Sequence, residues 1–257
     1  MSRQSSHDYM QQWLDLDLRR RFLGRILKQE APAGELCSKC KERPFKIRCN
    51  DCLYNPLLCI QCCRDMHQEH VFHRIEAWTD GTHFTPSWLW QTGVSIHLGH
   101  GGNHCPSNED MVAPDGETLL HPQSTSFNYT QGQPEMEEED SDTEDQMPEY
   151  GWSGSAAPPH GYAPGAQEVV VVHTNAVHRL PVFLCSCPDA PDPMDQYLEM
   201  GFYPATFKEI ETLFTFQVLD DYLLQNLECQ TSCHHYYSKL RRMTNKIFPG
   251  SVPVSLA

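Results

Sequence analysis

The chain has 257 residues and a formal net charge of −15, from 34 Asp and Glu against 19 Lys and Arg. The charge is uneven, because residues 101–168 have 14 acidic and no basic side chains, whereas residues 1–100 come to +2 and residues 169–257 to −3. No apolar run approaches the roughly 20 residues needed to cross a bilayer, and the N-terminal sequence lacks the apolar core of a signal peptide. We therefore expect neither a membrane protein nor a secreted protein.

Residues 1–34 are predicted to contain one N-terminal amphipathic helix, which we place at residues 8–30. Its apolar side chains recur at three- and four-residue steps, the spacing of one helix face: Tyr9, Trp13, Leu16, Phe22, Leu23, Ile26 and Leu27. Pro32 and Gly34 are expected to end the helix. We interpret the arginines on its other side as a solvated polar face.

Residues 35–105 contain the strongest signal, three Cys-x-x-Cys pairs followed by three histidines: Cys37, Cys40, Cys49, Cys52, Cys59, Cys62, His67, His70 and His73. Without a secretory signal we expect a reducing compartment, where paired cysteines bind metal more often than they form disulfides. Each pair directs two thiolates at one ion, and a structural zinc takes four ligands in a tetrahedron. The three pairs and two histidines therefore predict two structural Zn²⁺ ions.

The spacing of the pairs predicts how they share these ions. Only 6 to 8 residues separate consecutive pairs, too few for neighbours to fold back on one another comfortably. We therefore expect cross-bracing, with site one formed by Cys37, Cys40, Cys59 and Cys62. Site two would hold Cys49, Cys52 and two of the three histidines, and Cys63 beside Cys62 leaves some ambiguity in the ligand choice. This order resembles the B-box zinc finger. Since protein ligands fill both coordination spheres, we expect the zinc to be structural.

A second Cys/His set lies farther along the chain. Cys185 and Cys187 are separated by one residue at the end of a predicted strand, so that both sulfurs lie on the same face and could reach one ion. The candidates to complete a third zinc site are His100, Cys105 and His178. A hydrogen-bonded structural role is an equal alternative for any single histidine of this set.

Residues 106–167 are predicted to be a disordered acidic linker. They are rich in Pro, Ser, Gly and Gln and include the acidic run Glu135–Asp145, so they cannot bury enough apolar surface to offset the entropy of ordering. Residues 168–257 are predicted to fold as a β-hairpin followed by helices, at Val169–His173, Val177–Cys185, 194–201, Phe214–Cys229 and Ser232–Phe248. The predicted fold class is thus small α+β and zinc-stabilised, with a B-box-like finger, a linker, and a hairpin-plus-helix domain.

Four stretches of this sequence resemble the front end of KDZ (Kyakuja-Dileera-Zisupton) transposases: FHRIEAW (72–78), IHLGHGG-x-x-CP (96–106), VHRLPVFLCSC (177–187) and the segment 202–244. The resemblance implies a B-box-like zinc segment followed by a CxC-type cysteine cluster, here residues 168–257. It also favours His67 and His73 over His70 as ligands. In that family an RNase H-like catalytic region follows the cluster, and the sequence ends at Ala257 before any such region. We therefore expect a protein that is not an enzyme.

The resemblance implies DNA binding or assembly of a transposition complex, in the nucleus or otherwise in the cytoplasm. Three local basic clusters could contact phosphates: Arg19–Arg21 with Arg25 and Lys28, Lys39–Lys46 with Arg48, and Lys239–Arg242 with Lys246. The alternative is a B-box-like module for protein–protein interaction or self-association. We expect neither a small-molecule substrate nor a membrane partner.

Overall fold

The computed structural model describes residues 6–32, 34–111, 165–246 and 248–252. Within these ranges the chain forms a mixed α/β structure with six α-helices and two β-sheets. Residues 112–164, which include most of the predicted acidic linker (106–167) and its run Glu135–Asp145, lie outside the described residues. The ends of that predicted linker are structured, because a 3₁₀ segment covers Pro106–Met111 and a strand begins at Gln167.

The N-terminal segment forms two helices where the sequence predicted one. Helix α1 covers Ser6–Asp15 and helix α2 covers Leu18–Glu30. The chain turns between them at Asp17, whose φ of 46° is left-handed and incompatible with a continuous helix. Trp13 of α1 then meets Phe22 of α2 edge-on, with ring centroids 5.2 Å apart. The spacing of the apolar side chains did not reveal this break. Apolar residues at three- and four-residue steps fit one long helix as well as two short helices that face each other in a hairpin.

The first sheet is antiparallel throughout and surrounds the paired cysteines. Its strand order is β2-β1-β3-β4, with β1 at Ile47–Cys49, β2 at Leu57–Leu58, β3 at Ile75–Thr79 and β4 at His83–Ser87. Helix α3 at Ile60–His67 follows β2 directly. Buried aliphatic side chains pack together with five buried cysteines: Ile47, Leu58, Ile75, Leu89, Val94, Cys37, Cys49, Cys59, Cys62 and Cys63. Cysteine therefore supplies half of this small core.

The second sheet combines segments from both sides of residues 112–164. Its order is β5-β7-β6-β9-β8, with β5 at Ile96–His97, β6 at Gln167–His173, β7 at Ala176–Phe183, β8 at Phe202–Pro204 and β9 at Thr212–Thr215. Strands β6 and β7 form the expected antiparallel hairpin, and β5 pairs in parallel with β7. The boundary expected at residue 105 does not separate two sheets, because β5 belongs to the second one.

Three helices cover this sheet, α4 at Pro193–Glu199, α5 at Phe216–Cys229 and α6 at Cys233–Thr244. Side-chain oxygens of Asp192, Thr215 and Ser232 accept hydrogen bonds from the first turns of these helices, which fixes where each begins. The sequence placed the start of α5 at Phe214, but that residue is in β9 and Thr215 is the cap. No helix in the described part of the chain is long and apolar enough to cross a lipid bilayer.

A polar junction joins the two sheets. The guanidinium of Arg74 forms an ion pair with Asp51 at 2.6 Å and donates a hydrogen bond to the carbonyl of Met243 at the end of α6. Asn175, in the turn between β6 and β7, donates to the carbonyl of Phe72 at 2.7 Å. The Phe72 ring stacks on His173 with centroids 4.4 Å apart. The hairpin turn and α6 therefore both contact the segment that leads into β3.

We expect Asn175→Ala to lower the free energy of unfolding by about 1–3 kcal/mol. The substitution removes the donor to Phe72 and also the contacts of Asn175 with Asp51 and His178. Urea denaturation of the metal-loaded protein measures the effect. Asn226→Ala is the matched control, because it removes one exposed hydrogen bond to Thr231. Equal stability of the two variants would contradict the role of this junction.

Candidate metal centres

Three clusters of four Cys or His side chains could each hold a metal ion: Cys37, Cys40, Cys59 and Cys62; Cys49, Cys52, His67 and His73; and His100, Cys105, Cys185 and Cys187. In each cluster the four ligand atoms lie within 4.8 Å of one another. Zinc bonds of about 2.3 Å to sulfur and 2.0–2.1 Å to nitrogen, at tetrahedral angles, give edges of roughly 3.8 Å between two sulfurs and roughly 3.5 Å between sulfur and nitrogen. These edges allow a direct comparison.

Strand pairing assembles cluster one. The knuckle that holds Cys37 and Cys40 is attached to β2 by a hydrogen bond from the Ser38 N–H to the Leu57 carbonyl, 2.7 Å long. Cys59 follows β2 immediately and is the N-cap of α3, where its sulfur accepts from the Cys62 N–H at 3.5 Å. The first and third pairs meet for this reason, although 18 residues separate Cys40 from Cys59.

Cluster two lies between the end of β1 and the end of α3. The Cys52 sulfur is 3.5 Å from His67 Nε2 and 3.3 Å from His73 Nδ1. The Cys49 sulfur is 3.3 Å and 3.6 Å from the same two nitrogens. All four distances are close to the sulfur–nitrogen edge of a zinc tetrahedron. The donor set and its spacing therefore fit a zinc ion.

A second set of contacts orients the histidines of cluster two. The Nδ1 of His67 lies 2.7 Å from the Cys63 carbonyl, which assigns Nδ1 as the donor and leaves Nε2 free toward the cysteines. Burial lowers the pKa of both His67 and His73, favouring the neutral imidazole that binds metal. His70 is exposed, and its ring stacks on His73 with centroids 5.0 Å apart. The structure thus brings His67 and His73, and not His70, to Cys49 and Cys52.

Cluster three joins residues from both sides of 112–164. The Cys105 sulfur is 3.8 Å from that of Cys185 and 3.7 Å from that of Cys187, and His100 Nε2 is 3.2 Å and 3.4 Å from the same two sulfurs. These distances again approach the edges expected for zinc. The parallel pairing of β5 with β7 brings residues 98–105 beside the end of β7.

Two residues that the sequence did not identify support cluster three. The buried side chain of Gln196 in α4 forms two hydrogen bonds with the backbone of Cys185. It accepts from the Cys185 N–H at 2.8 Å and donates to the Cys185 carbonyl at 3.1 Å. Gly99 has a φ of 76°, and a Cβ there would lie 3.0 Å from the Cβ of Cys185. A glutamine in a short helix gives no sequence signal for such a role. For Gly99 the sequence did give a signal, because this residue belongs to the glycine-rich stretch around His100.

His178 is the one predicted candidate that the structure keeps away from cluster three. Its Nε2 lies 3.0 Å from Asn175 Oδ1, and its ring is 5.4 Å from the Phe72 ring. Burial lowers the pKa of His178 to about 3, so it is neutral and buried in the junction between the sheets. Five residues of strand, about 16 Å, separate it from the end of β7 near the cluster. His178 therefore has the hydrogen-bonded structural role that the sequence analysis gave as the alternative to metal binding.

The thiols differ in how readily they lose a proton. Burial raises the pKa of the Cys37 thiol. Hydrogen bonds from the backbone N–H groups of residues 40, 59 and 39 have the opposite effect and outweigh it, so that the pKa is lowered to about 6. The backbone N–H of Ser186 is the largest cause that lowers the pKa of Cys105 to about 6. Burial raises the pKa of Cys49 to about 12. A metal ion must displace such protons, so its affinity should fall with decreasing pH.

Four protein ligands at each cluster leave no coordination position for water or substrate, the arrangement of structural zinc sites. Cys63 is buried in the core next to His67, and it lies outside the four sulfurs of cluster one. The donor sets can therefore bind metal and stabilise the surrounding loops, which have short strands and few aliphatic side chains.

We expect the wild-type chain to bind three zinc ions and the Cys185→Ser/Cys187→Ser variant to bind two, because cluster three then lacks two of its four ligands. Native mass spectrometry of protein purified without added metal gives the count. Cys229→Ser/Cys233→Ser is the matched control and should retain three ions, since both cysteines are exposed and lie outside the clusters. Three ions in the Cys185/Cys187 variant would refute the assignment.

The histidines of cluster two make separate predictions. His67→Ala and His73→Ala should each lose one ion, whereas His70→Ala should retain the wild-type count, since its ring only stacks on His73. Cobalt(II) substitution followed by absorption spectroscopy gives a second readout, because loss of the site with two sulfurs and two nitrogens changes the spectrum selectively. Loss of an ion in the His70 variant would contradict the geometry.

Comparison with known proteins agrees with the cysteine cluster in the second half of the chain. Residues 153–247 match the family model described as a CxC2-like cysteine cluster associated with KDZ transposases. This range contains Cys185, Cys187 and helices α4 to α6, and it covers more than a third of the chain. No curated protein and no solved structure matches the chain. The resemblance inferred from the sequence is thus confirmed for residues 153–247, which form a CxC2-like cysteine cluster of the kind associated with KDZ transposases.

Proposed function

We propose that this chain is a non-catalytic, zinc-stabilised module of a transposase-related protein, which contacts DNA within a nuclear protein–DNA complex. The main supporting observation is a group of exposed basic side chains on the knuckle of cluster one and the loop that follows it: Lys39, Lys41, Arg43 and Lys46. The KDZ-associated cysteine cluster supports the link to transposition. The metal ions would serve only as structural supports for this loop.

The proposed ions are zinc, one in each cluster. The sulfur–nitrogen distances in clusters two and three support this choice, as does the mixture of thiolate and imidazole donors. We interpret the crossing order as a B-box-like cross-brace, since the first and third cysteine pairs share cluster one while the second pair joins the histidines. The proposed ligands are the twelve side chains of the three clusters, without His70 and His178.

The acidic residues on the strands support the absence of nuclease chemistry. Two-metal cleavage of nucleic acid requires several carboxylates that converge on the ions. On the described strands only Glu76 and Glu168 are acidic, and they belong to different sheets. Glu76 forms an ion pair with Arg48 at 2.6 Å, and Glu168 with Arg179 at 2.5 Å. Neither carboxylate is free to join a metal-binding group.

The basic group has the charge and exposure needed to bind phosphates. Its four positive charges lie within eight consecutive residues, interrupted by one acidic residue, Glu42. Among the described residues none of the four forms an ion pair, in contrast to Arg48 and Arg74. Four thiolates around one Zn²⁺ would leave a net charge of −2 at cluster one. The four positive charges of the basic group exceed this negative charge. The surplus is available to a polyanion, and binding would release counterions from DNA.

We expect the wild-type chain to bind double-stranded DNA with an affinity that falls as salt increases. Replacing all four basic residues by Gln should weaken binding by at least tenfold and lower the slope of log affinity against log salt by about 0.9 per lost phosphate contact. Fluorescence anisotropy with a labelled duplex measures both quantities. Lys208→Gln, at an exposed lysine between β8 and β9 that lies outside all three basic clusters, is the control and should change neither. A wild-type chain without salt-dependent binding would refute the proposal.

A second candidate function is a protein–protein interaction module. The supporting observation is that α2 and α5 expose large apolar side chains over much of their length. Exposed apolar patches of this kind mark interaction sites on soluble proteins. This candidate is compatible with DNA binding, because the helices and the knuckle of cluster one are different parts of the surface.

A further inference from the structure

Two helices present apolar stripes that the described residues leave largely uncovered, although Trp13 of α1 contacts Phe22 at the edge of the α2 stripe. On α2 the side chains of Phe22, Leu23, Ile26 and Leu27 are 43–58% exposed, and the helix buries none of its residues. On α5 the stripe is 37–66% exposed and consists of Phe216, Leu219, Leu223, Leu224 and Leu227. Val218 is the buried residue of that helix. Within the described part of the chain, both helices therefore keep a mostly exposed apolar face.

The spacing confirms that each set is a continuous face. At about 100° per residue, the steps of three and four between Phe216, Leu219, Leu223 and Leu227 keep these side chains on one side of α5. The opposite side, with Val218, packs on the sheet. A helix of 13 residues such as α2 is only marginally stable alone in water, so a partner that covers its apolar face would stabilise it.

The charges beside the two stripes are opposite. Helix α2 has five basic side chains and one acidic one, and Arg20 and Arg25 flank its apolar stripe on its two sides. Helix α5 has three acidic side chains and no basic one. Asp221 is engaged with Tyr236 and Lys239, whereas Asp220 and Glu228 are exposed and lie in one row with Leu224, at four-residue steps. Each helix therefore has the surface that the other would bind.

We propose that a second copy of this chain covers both stripes, with α2 of each copy on α5 of the other in a closed twofold dimer. Among the described residues no hydrogen bond, ion pair or ring contact joins α2 to α5 within one chain. Because one chain contains both complementary helices, a twofold axis pairs each with its counterpart and leaves neither stripe exposed. This inference rests on the second candidate function and makes no use of DNA binding.

The first test is the mass of the zinc-loaded full chain in solution, by size-exclusion chromatography with light scattering. We expect twice the chain mass of 29.5 kDa, falling to a single chain in Leu223→Glu/Leu227→Glu. The matched control is Leu53→Glu/Tyr54→Glu, which should remain dimeric. It alters two side chains that are 78% and 92% exposed on the loop between β1 and β2, outside both helices. Zinc count and circular dichroism verify that each variant is folded. A monomeric wild-type chain, or open polymers in place of a dimer, would overturn the proposal.

Charge reversal tests the pairing of the helices directly. Arg20→Glu/Arg25→Glu and Asp220→Lys/Glu228→Lys should each give monomers, because like charges then face one another. Mixing the two variants should restore a dimer of one copy of each, and all four substitutions in one chain should restore the homodimer. A mixture that stays monomeric would overturn the proposal. Fluorescence anisotropy with labelled DNA on the same monomeric variants separates failure of the dimer from failure of DNA binding. DNA binding can persist when the dimer is absent, and it can fail when the dimer is present.

Discussion

The fold depends on the convergence of Cys and His side chains from distant parts of the chain into three groups of four. The first sheet has strands of two to five residues, and cysteines make up half of its buried core. Such short strands cannot bury enough apolar surface to hold knuckles and loops in place alone. Metal coordination at clusters one and two would connect the knuckle before β1 and the end of β1 to α3, and the basic loop between the knuckle and β1 would depend on both sites for its shape.

Cluster three applies the same principle on a larger scale. Parallel pairing of β5 with β7 places His100 and Cys105 beside Cys185 and Cys187, and Gln196 holds the backbone of Cys185 in position. The polar junction of Arg74, Asp51 and Asn175 then fastens the first sheet to the second. Function is accordingly proposed for the surfaces that these links position, the basic loop and the two exposed helices, and not for the metal ions themselves.

The sequence predicted features that depend on local spacing. Three Cys-x-x-Cys pairs separated by short loops allow few ways to build two tetrahedra, and the structure brings these cysteines together in two groups with His67 and His73. The hairpin β6–β7 was also predictable, since turn residues act within a few positions. Non-local features were not. The pairing of β5 with β7, the turn at Asp17 and the buried position of His178 depend on tertiary contacts that residue spacing does not encode.

The closure of cluster three also joins two stretches of chain that are far apart in the sequence. Residues 98–105 and 183–187 are held together by strand pairing and by four ligands, whatever joins Met111 to Gly165. Residues 1–111 and 165–257, supplied as two separate chains, should therefore associate by fragment complementation through these contacts.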